Sequence, residues 1–456
     1  MMRPGLAAAV AAAVLASGCA TSQPSSPAAW AEAPQAWRAE VPADGQVRPD
    51  WWRTFGDPLL AAAVEQALAG NVDLAVAEAR VHEAEALSAQ ARAGLWPSLD
   101  ASLSTQKGRT LGATTGQAST SASGQAQLQA SYEVDLWGQV RSANQAALAS
   151  LQASRNARDA AALSVAASTV QAYVQLLSLD AQLAIARDTL SARDGALRAA
   201  VQRAEVGYTS RLEQAQAEAE QRAAAQRVPV LELAVRQQEN ALRVLTGEPP
   251  GPVERGRVAT LRLPTPGPGL PSTLMSRRPD IAEAESRLAA ADATLASDRA
   301  ALLPQVSLTG SAGRLFVEHL DPVTVWSLGG SLLAPLFDGG RRASQADASA
   351  ARRDQTAWTY RGVVLAAFAE TEDALEALTR LEAQSVEVEA RHAALTDTLR
   401  HARNRYRAGY TSYLEELDAQ RGLYGVEQER VQLQESRLPN AVALYRALGG
   451  GWTAAP

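Results

Sequence analysis

The 456-residue sequence has a single cysteine, four histidines and only 5% aromatic residues. One cysteine excludes an intrachain disulfide framework. His82, His319, His392 and His401 are scattered, with no second His, Cys or clustered acid at metal-ligand spacing, so no metal site is expected. Nor is there a basic footprint: charged residues make up 20% and the net charge is −6, which argues against nucleic acid as a partner. No glycine-rich phosphate loop precedes a Lys or Ser/Thr of the required kind. No nucleophile–base arrangement stands out, and carboxylate pairs on the helices read as solvated faces. No catalytic residue and no cofactor are expected, so the chain does not read as an enzyme. What is abundant is alanine, about a fifth of all residues. Alanine with scarce aromatics is poor material for a thick core and suits helices packed closely in thin layers.

The first residues read as an export address over 1–18, with Arg3 as the positive end and Leu6 to Ala16 as an apolar stretch too short to span a bilayer. Leu15-Ala16-Ser17-Gly18-Cys19 follows, which resembles the lipobox of bacterial lipoproteins; the resemblance implies cleavage and acylation at Cys19. Ala20 after the cysteine points, by the same resemblance, to the outer rather than the inner membrane. Residues 19–50, rich in Ser, Pro and Ala, read as a lipidated tether.

Beyond residue 50 the chain repeats itself. Residues 71–103 match 278–310 without a gap, pairing Asp73 with Asp280, Arg80 with Arg287 and Pro97 with Pro304. Leu136-Trp137 matches Leu336-Phe337, with Arg141 set against Arg341. Gly207-Tyr208-Thr209-Ser210 matches Gly409-Tyr410-Thr411-Ser412, and Gly247 matches Gly449. The expected organisation is a first repeat over 51–247, a Pro/Gly-rich linker over 248–277, a second repeat over 278–449 and a tail over 450–456.

Each repeat has one grammar. A helix comes first, over about 57–95 and about 279–302, stopped by Pro97 and Pro304. Two alternating segments follow, predicted as strands 98–105 and 125–136, then 305–312 and 324–333. In 125–136, Ala126, Leu128, Ala130, Tyr132, Val134 and Leu136 share one face, while Gln125, Gln127, Gln129, Ser131, Glu133 and Asp135 share the other. Gly339-Gly340-Arg341-Arg342 reads as a strand-to-helix turn. A long helical stretch comes next: 139–206 has no proline and no glycine but Gly195, which makes roughly 100 Å of helix. Leu176, Leu183, Leu190 and Leu197 recur every seven residues, as do Leu381, Val388 and Leu395, and Leu417, Tyr424, Val431, Leu438 and Tyr445. These are coiled-coil stripes. The Gly-Tyr-Thr-Ser motifs interrupt them and reverse the chain.

Four strands with an outward apolar face fit a transmembrane β-barrel. Lipid tolerates no unpaired backbone, and four strands are too few to close a barrel, so several chains must pool their strands; three would give twelve.

With these features in view, the chain resembles the TolC/OprM/NodT family of outer-membrane efflux proteins, lipoprotein branch, over about residues 50–449. The motifs carrying the resemblance are Trp52-x2-Phe55-x-Asp57-Pro58, Asn71-x-Asp73-Leu74, Arg92-x4-Pro97, Tyr132 to Gly138, Arg278-Pro279-Asp280, Phe337-Asp338-Gly339-Gly340 and Tyr406 to Ser412. The resemblance implies a mainly α fold with a small β part: a long coiled-coil helical barrel in the periplasm, joined to a transmembrane β-barrel with four strands from each chain. It implies a homotrimer in contact with outer-membrane lipid, partnered by a periplasmic adaptor and an inner-membrane pump of the RND class, and passing small toxic compounds outward. An exit duct for protein secretion would share this fold and gate. A periplasmic adaptor lipoprotein would share the helical hairpins but would not require two strand pairs with an outward apolar face.

Leu414, Asp418 and Arg421 fall at i, i+4 and i+7 on one helical face, with Glu415 one turn from Asp418. Arg403 and Tyr406 approach the same turn from the preceding helix. In a symmetric oligomer each acid forms a ring that can attract cations and hold a constriction. Carried over from the family by position, Glu415 and Asp418 are acidic gate residues, Leu414 an apolar constriction, and Tyr406 and Arg421 latch partners. Glu213 is the first-repeat counterpart of Glu415, and Thr411 stands where some members carry a basic latch residue.

Overall fold

The protein is described by a computed structural model covering residues 33–39, 47–111, 116–269 and 271–453. The export address over 1–18, Cys19 and part of the expected tether lie outside the described residues. The first half runs α1 (Pro58–Gly70), α2 (Val72–Ala93), β1 (Ser98–Leu111), β2 (Ala118–Val134), α3 (Gln139–Glu205) and α4 (Arg211–Leu245). The second runs α5 (Pro279–Ala300), β3 (Gln305–Val317), β4 (Val323–Leu333), α6 (Arg341–Arg407) and α7 (Tyr413–Ala447). α2 and α5 have 22 residues each, α3 and α6 have 67, and α4 and α7 have 35. The duplication in sequence is therefore a duplication of elements, with these three helix pairs equal in length and the strands unequal, 14 and 17 residues in the first half against 13 and 11 in the second.

The helix expected over about 57–95 is two helices, parted at Asn71. Its backbone is extended, its Oδ1 accepts from the N–H groups of Asp73 (2.9 Å) and Leu74 (3.2 Å), and its Nδ2 donates to the Leu245 carbonyl (2.9 Å). One side chain thus caps α2 and ties it to the end of α4.

The described residues form two compact units. One is built on Arg80–Arg155 and Glu283–Gly362. It holds a single antiparallel sheet in the order β1-β2-β3-β4. The register sets Leu99, Ala101 and Leu103 against Ala130, Leu128 and Ala126. Those in turn face Gly310, Ala312 and Arg314, which face Leu328, Trp326 and Thr324. Leu99, Leu103, Leu128, Leu308, Trp326, Leu328 and Leu332 are all exposed on the chain, Leu328 at 82%. The opposite face carries serine pairs, with hydroxyls of Ser98 and Ser131 at 2.8 Å, Ser307 and Ser331 at 2.7 Å, and Ser311 and Ser327 at 2.9 Å. β1, β2 and β3 run further toward the hairpins than predicted: the Ser/Thr-rich tip of β2, residues 118–124, carries no apolar alternation yet pairs through the backbone with 105–111, and β3 continues to Val317 opposite Ser123. At the other end β2 stops before its predicted limit. Asp135 leaves the strand to accept from the backbone N–H groups of Val140 (3.2 Å) and Arg141 (2.9 Å), capping α3. Asp338 does the same for α6, accepting from Gly340 at 3.1 Å and Arg342 at 3.3 Å. The arginine ion-paired to Asp338 is Arg342, not the Arg341 that sequence alignment sets against Arg141.

The other unit is built on Glu32–Ala79, Asn156–Ala282 and Val363–Pro456. Its core gathers Trp51, Phe55, Leu60, Tyr173, Leu176, Leu242 and Tyr445. Trp51 stacks on Tyr445 with ring centroids 5.0 Å apart. The Tyr173 hydroxyl donates to Asp57 (2.9 Å) and accepts from the Gly256 N–H (3.0 Å), which satisfies a polar group inside the core. All the heptad residues named above are buried or half-buried, so the stripes face inward. The two repeats close alike: Asn71 donates to the Leu245 carbonyl, and Arg278 to the Ala447 carbonyl (3.2 Å).

Candidate functional site

Both chain reversals are built by the same residues. Gly207 and Gly409 have φ of +75° and +78°, values that a side chain disfavours. The next N–H reaches back over the turn, Tyr208 to the Arg203 carbonyl (2.8 Å) and Tyr410 to the Arg405 carbonyl (2.9 Å), which closes α3 and α6. Ser210 then caps α4 through the Glu213 N–H (3.3 Å). Thr209 donates to Glu213, and Thr411 to Glu415. The side chains of Tyr208, Leu212, Tyr410 and Leu414 are exposed, Tyr208 at 87%.

Around these turns four helices are joined by charge. Arg193 of α3 is buried and donates to Gln420 of α7, and it lies 3.6 Å from Glu220 of α4. Glu220 also accepts from Arg421 of α7. Gln420 donates to Glu416 (2.9 Å), and Glu416 accepts from Arg403 of α6 (3.3 Å). The chain of contacts runs α4, α3, α7, α6. Tyr406 packs on Tyr413 with ring centroids 5.7 Å apart, and the Arg203 guanidinium sits 4.6 Å over the Tyr406 ring. Burial pushes both phenols above the ordinary tyrosine range, with Arg203 opposing at Tyr406 and Arg193 at Tyr413. Both therefore stay protonated at neutral pH. The bond to Glu220 raises the Arg421 guanidinium further and keeps it charged. A cleft of about 220 Å³ opens beside this network, lined by Arg193, Glu220, Arg227, Arg421 and Tyr424 among others.

The sequence-predicted residues fall around one end of these helices but do not all touch. Arg403 reaches Glu416, and Arg421 reaches Glu220 rather than Tyr406. Glu213 accepts from the Tyr413 N–H (3.4 Å) and so links the two repeats. Glu415 is exposed and paired with Arg405 at 3.3 Å. Asp418 is exposed, close enough to Arg421 to help hold its charge. Leu414 is exposed at 55%. Sequence reading missed Arg193, Arg203, Glu220, Glu416 and Gln420. A signal existed for Glu220, seven residues after Glu213 and hence on the same face of α4. None existed for Arg193, since an arginine in a long helix reads as solvated until its neighbours are known. Such a set of charge-assisted hydrogen bonds between helices can hold them together and can be broken without disturbing an apolar core.

The family described as outer membrane efflux protein matches residues 63–248 and again 270–450. The pyoverdine export outer membrane protein OpmQ of Pseudomonas putida is 37% identical over 453 residues, covering 95% of each chain. Its namesake from Pseudomonas aeruginosa is 37% identical over 92% of this chain and 91% of its own. Among solved structures, the outer-membrane channel OprN superposes with a TM-score of 0.86 at 28% identity, over 92% of this chain and 98% of that one. With two matched blocks, near full-length relatives and the same fold, the chain belongs to the outer membrane efflux protein family and is an outer-membrane channel protein.

Proposed function

We propose that the protein is the exit duct of a tripartite efflux system: a lipid-anchored homotrimer that passes small toxic compounds from a periplasmic adaptor and an inner-membrane pump of the RND class to the outside. The observation that carries the reading is the sheet. Its apolar face is exposed, and the outer edges of β1 and β4 have no backbone partner among the described residues. Lipid tolerates such an edge only when it is closed by other copies, and twelve strands from three chains close a barrel. The reversals supply the constriction. Threefold repetition brings Glu415 and Asp418 into rings, with Leu414 as an apolar constriction and Arg403, Tyr406, Arg421 and Glu213 as the groups that hold it. The exposed Tyr208, Leu212 and Tyr410 offer the adaptor an apolar seat. The repeats are assigned to 51–247 and 278–449, with 248–277 between them, 1–18 removed, 19–50 as tether and 450–456 as tail. A small organic cargo fits the two relatives named for exporting pyoverdine.

The test is complementation. A strain lacking its own efflux channels, supplied with this chain and a matched adaptor and pump, is expected to lower its accumulation of a fluorescent efflux substrate several-fold. Unchanged accumulation in the presence of assembled trimer rejects the drug-duct reading. Secretion of a protein substrate in its place assigns the chain to a secretion system.

A further inference from the structure

The outward face of the sheet changes character along its length. From the helix end, the first row across the strands is Val134, Val306 and Leu332, and the fifth is Leu103, Ala126, Arg314 and Thr324. Eight residues along a strand rise about 27 Å, or roughly 21 Å along the membrane normal at a tilt near 40°. The apolar band of a bacterial barrel is about 25 Å tall. Arg314 therefore stands at the outer boundary of that band, and its long stem can carry the guanidinium past it. Phe316 follows in the sixth row, opposite Gly124, and Lys107 in the seventh, opposite Ala122. Arg109 is in the eighth row, opposite Thr120. All three basic side chains are exposed. The β3–β4 hairpin carries two acids, Glu318 and Asp321, and the Glu318 carboxylate lies 3.8 Å from His319. Gly124 leaves a groove of about 500 Å³ whose lining includes Thr105, Lys107, Phe316 and Glu318.

We propose that Arg314, Lys107 and Arg109 bind the phosphorylated headgroup of an outer-leaflet lipid, with an acyl chain lying against Phe316 and the apolar rows below. Three cations just beyond an apolar band, with one aromatic ring among them, match an anionic amphiphile in both charge and order. A soluble anion would use the cations and leave the exposed Phe316 among them without a role. The proposal rests on the reading that this face meets lipid, and the test separates the two.

Lys107 is the only lysine in the sequence. An amine-selective reagent therefore reports on one side chain of the full-length trimer. In phosphatidylcholine nanodiscs it is expected to label freely. Adding a bisphosphorylated glycolipid is expected to slow labelling at least tenfold, while inorganic phosphate at the same concentration leaves the rate unchanged. Native mass spectrometry supplies the second readout. Each basic group near an anionic surface is worth about a fivefold gain in affinity, so a Lys107→Gln/Arg109→Gln/Arg314→Gln variant should retain the glycolipid on the order of a hundredfold less well. Equal retention by a correctly assembled variant overturns the proposal, as does protection by inorganic phosphate. If the variant does not assemble, the wild-type labelling alone decides. Wild-type protein that inserts but gains no protection loses the lipid site and keeps the barrel. Protein that fails to insert loses both.

Discussion

At the residue scale, the closest tolerances lie where each repeat ends. Gly247 has φ of +73°, and a Cβ there would stand 2.1 Å from the Gly70 carbonyl oxygen. Gly449, its counterpart, has φ of +85° and would meet the Arg277 carbonyl oxygen at 1.9 Å. Both obstacles are backbone and cannot swing aside. Gly247→Ala and Gly449→Ala are each expected to cost about 3 kcal/mol or more, seen as a lower thermal midpoint of the helical circular-dichroism signal. Gly425→Ala, inside α7 with open space around it, is expected to gain about 0.5–1 kcal/mol. A second residue-scale expectation concerns Glu435, whose carboxyl is pushed above its ordinary range by burial while it accepts from Gln182 at 3.3 Å. A raised carboxyl binds its proton more tightly folded than unfolded. Ionisation at neutral pH therefore works against the fold, and stability returns as pH falls through the raised pKa. Glu435→Gln keeps an acceptor and removes the charge. It should raise the thermal midpoint at pH 7, and the gain should shrink toward pH 5; a gain independent of pH would refute the assignment.

At the element scale, the strands and the reversals make different demands. On the outward face, Arg at Leu128 or Leu308 is expected to cost roughly 2–4 kcal/mol if the row lies near the bilayer midplane, while Arg at Gln127 on the wet face costs much less. Folding titrations into lipid vesicles measure both, and equal costs would reject the face assignment. At the reversals, Arg421 and Glu220 tie α7 to α4. Arg421→Ala leaves Glu220 with Arg193, so it should loosen the end of the duct without unfolding it. Larger single-channel conductance in planar bilayers is the expected result, and Glu220→Gln should do the same more weakly. Asp418→Ala, which breaks no hydrogen bond or ion pair among the described residues, should instead reduce cation selectivity and block by divalent cations. If all three match the wild type, these charges are solvated helix surface and the constriction lies elsewhere.

At the scale of the whole molecule, two attachments to the membrane are in play, the expected acyl group at Cys19 and the barrel. Cys19→Ala should remove the acyl mass from the intact protein and leave the trimer assembled, because barrel closure depends on strand pairing and not on the anchor. Intact-mass measurement and migration of the unheated trimer check the two halves of that statement. An unmodified Cys19 in membrane-extracted wild type would remove the anchor from the account.

Sequence periodicity alone determined the duplicated plan, the two faces of the sheet and the inward heptad stripes. Each is a local pattern: alternation in Gln125 to Val134, a seven-residue recurrence from Leu176 to Leu197, a glycine before each reversal. Family resemblance, carried by short motifs in a fixed order, was legible in the same way. The tertiary structure decided what depends on partners distant in the chain. It split the first helix at Asn71, because that side chain bonds to Leu245, 174 residues away. It took Asp135 out of its strand to cap α3 and gave Asp338 to Arg342. It assigned Arg421 to Glu220, 201 residues distant, and buried Arg193 among polar groups that no periodicity distinguishes from solvated ones. A hydrophobic period reports which face a helix turns inward. Which charge meets which depends on the rotation and stagger of neighbouring helices, and those are set only once the apolar stripes have packed.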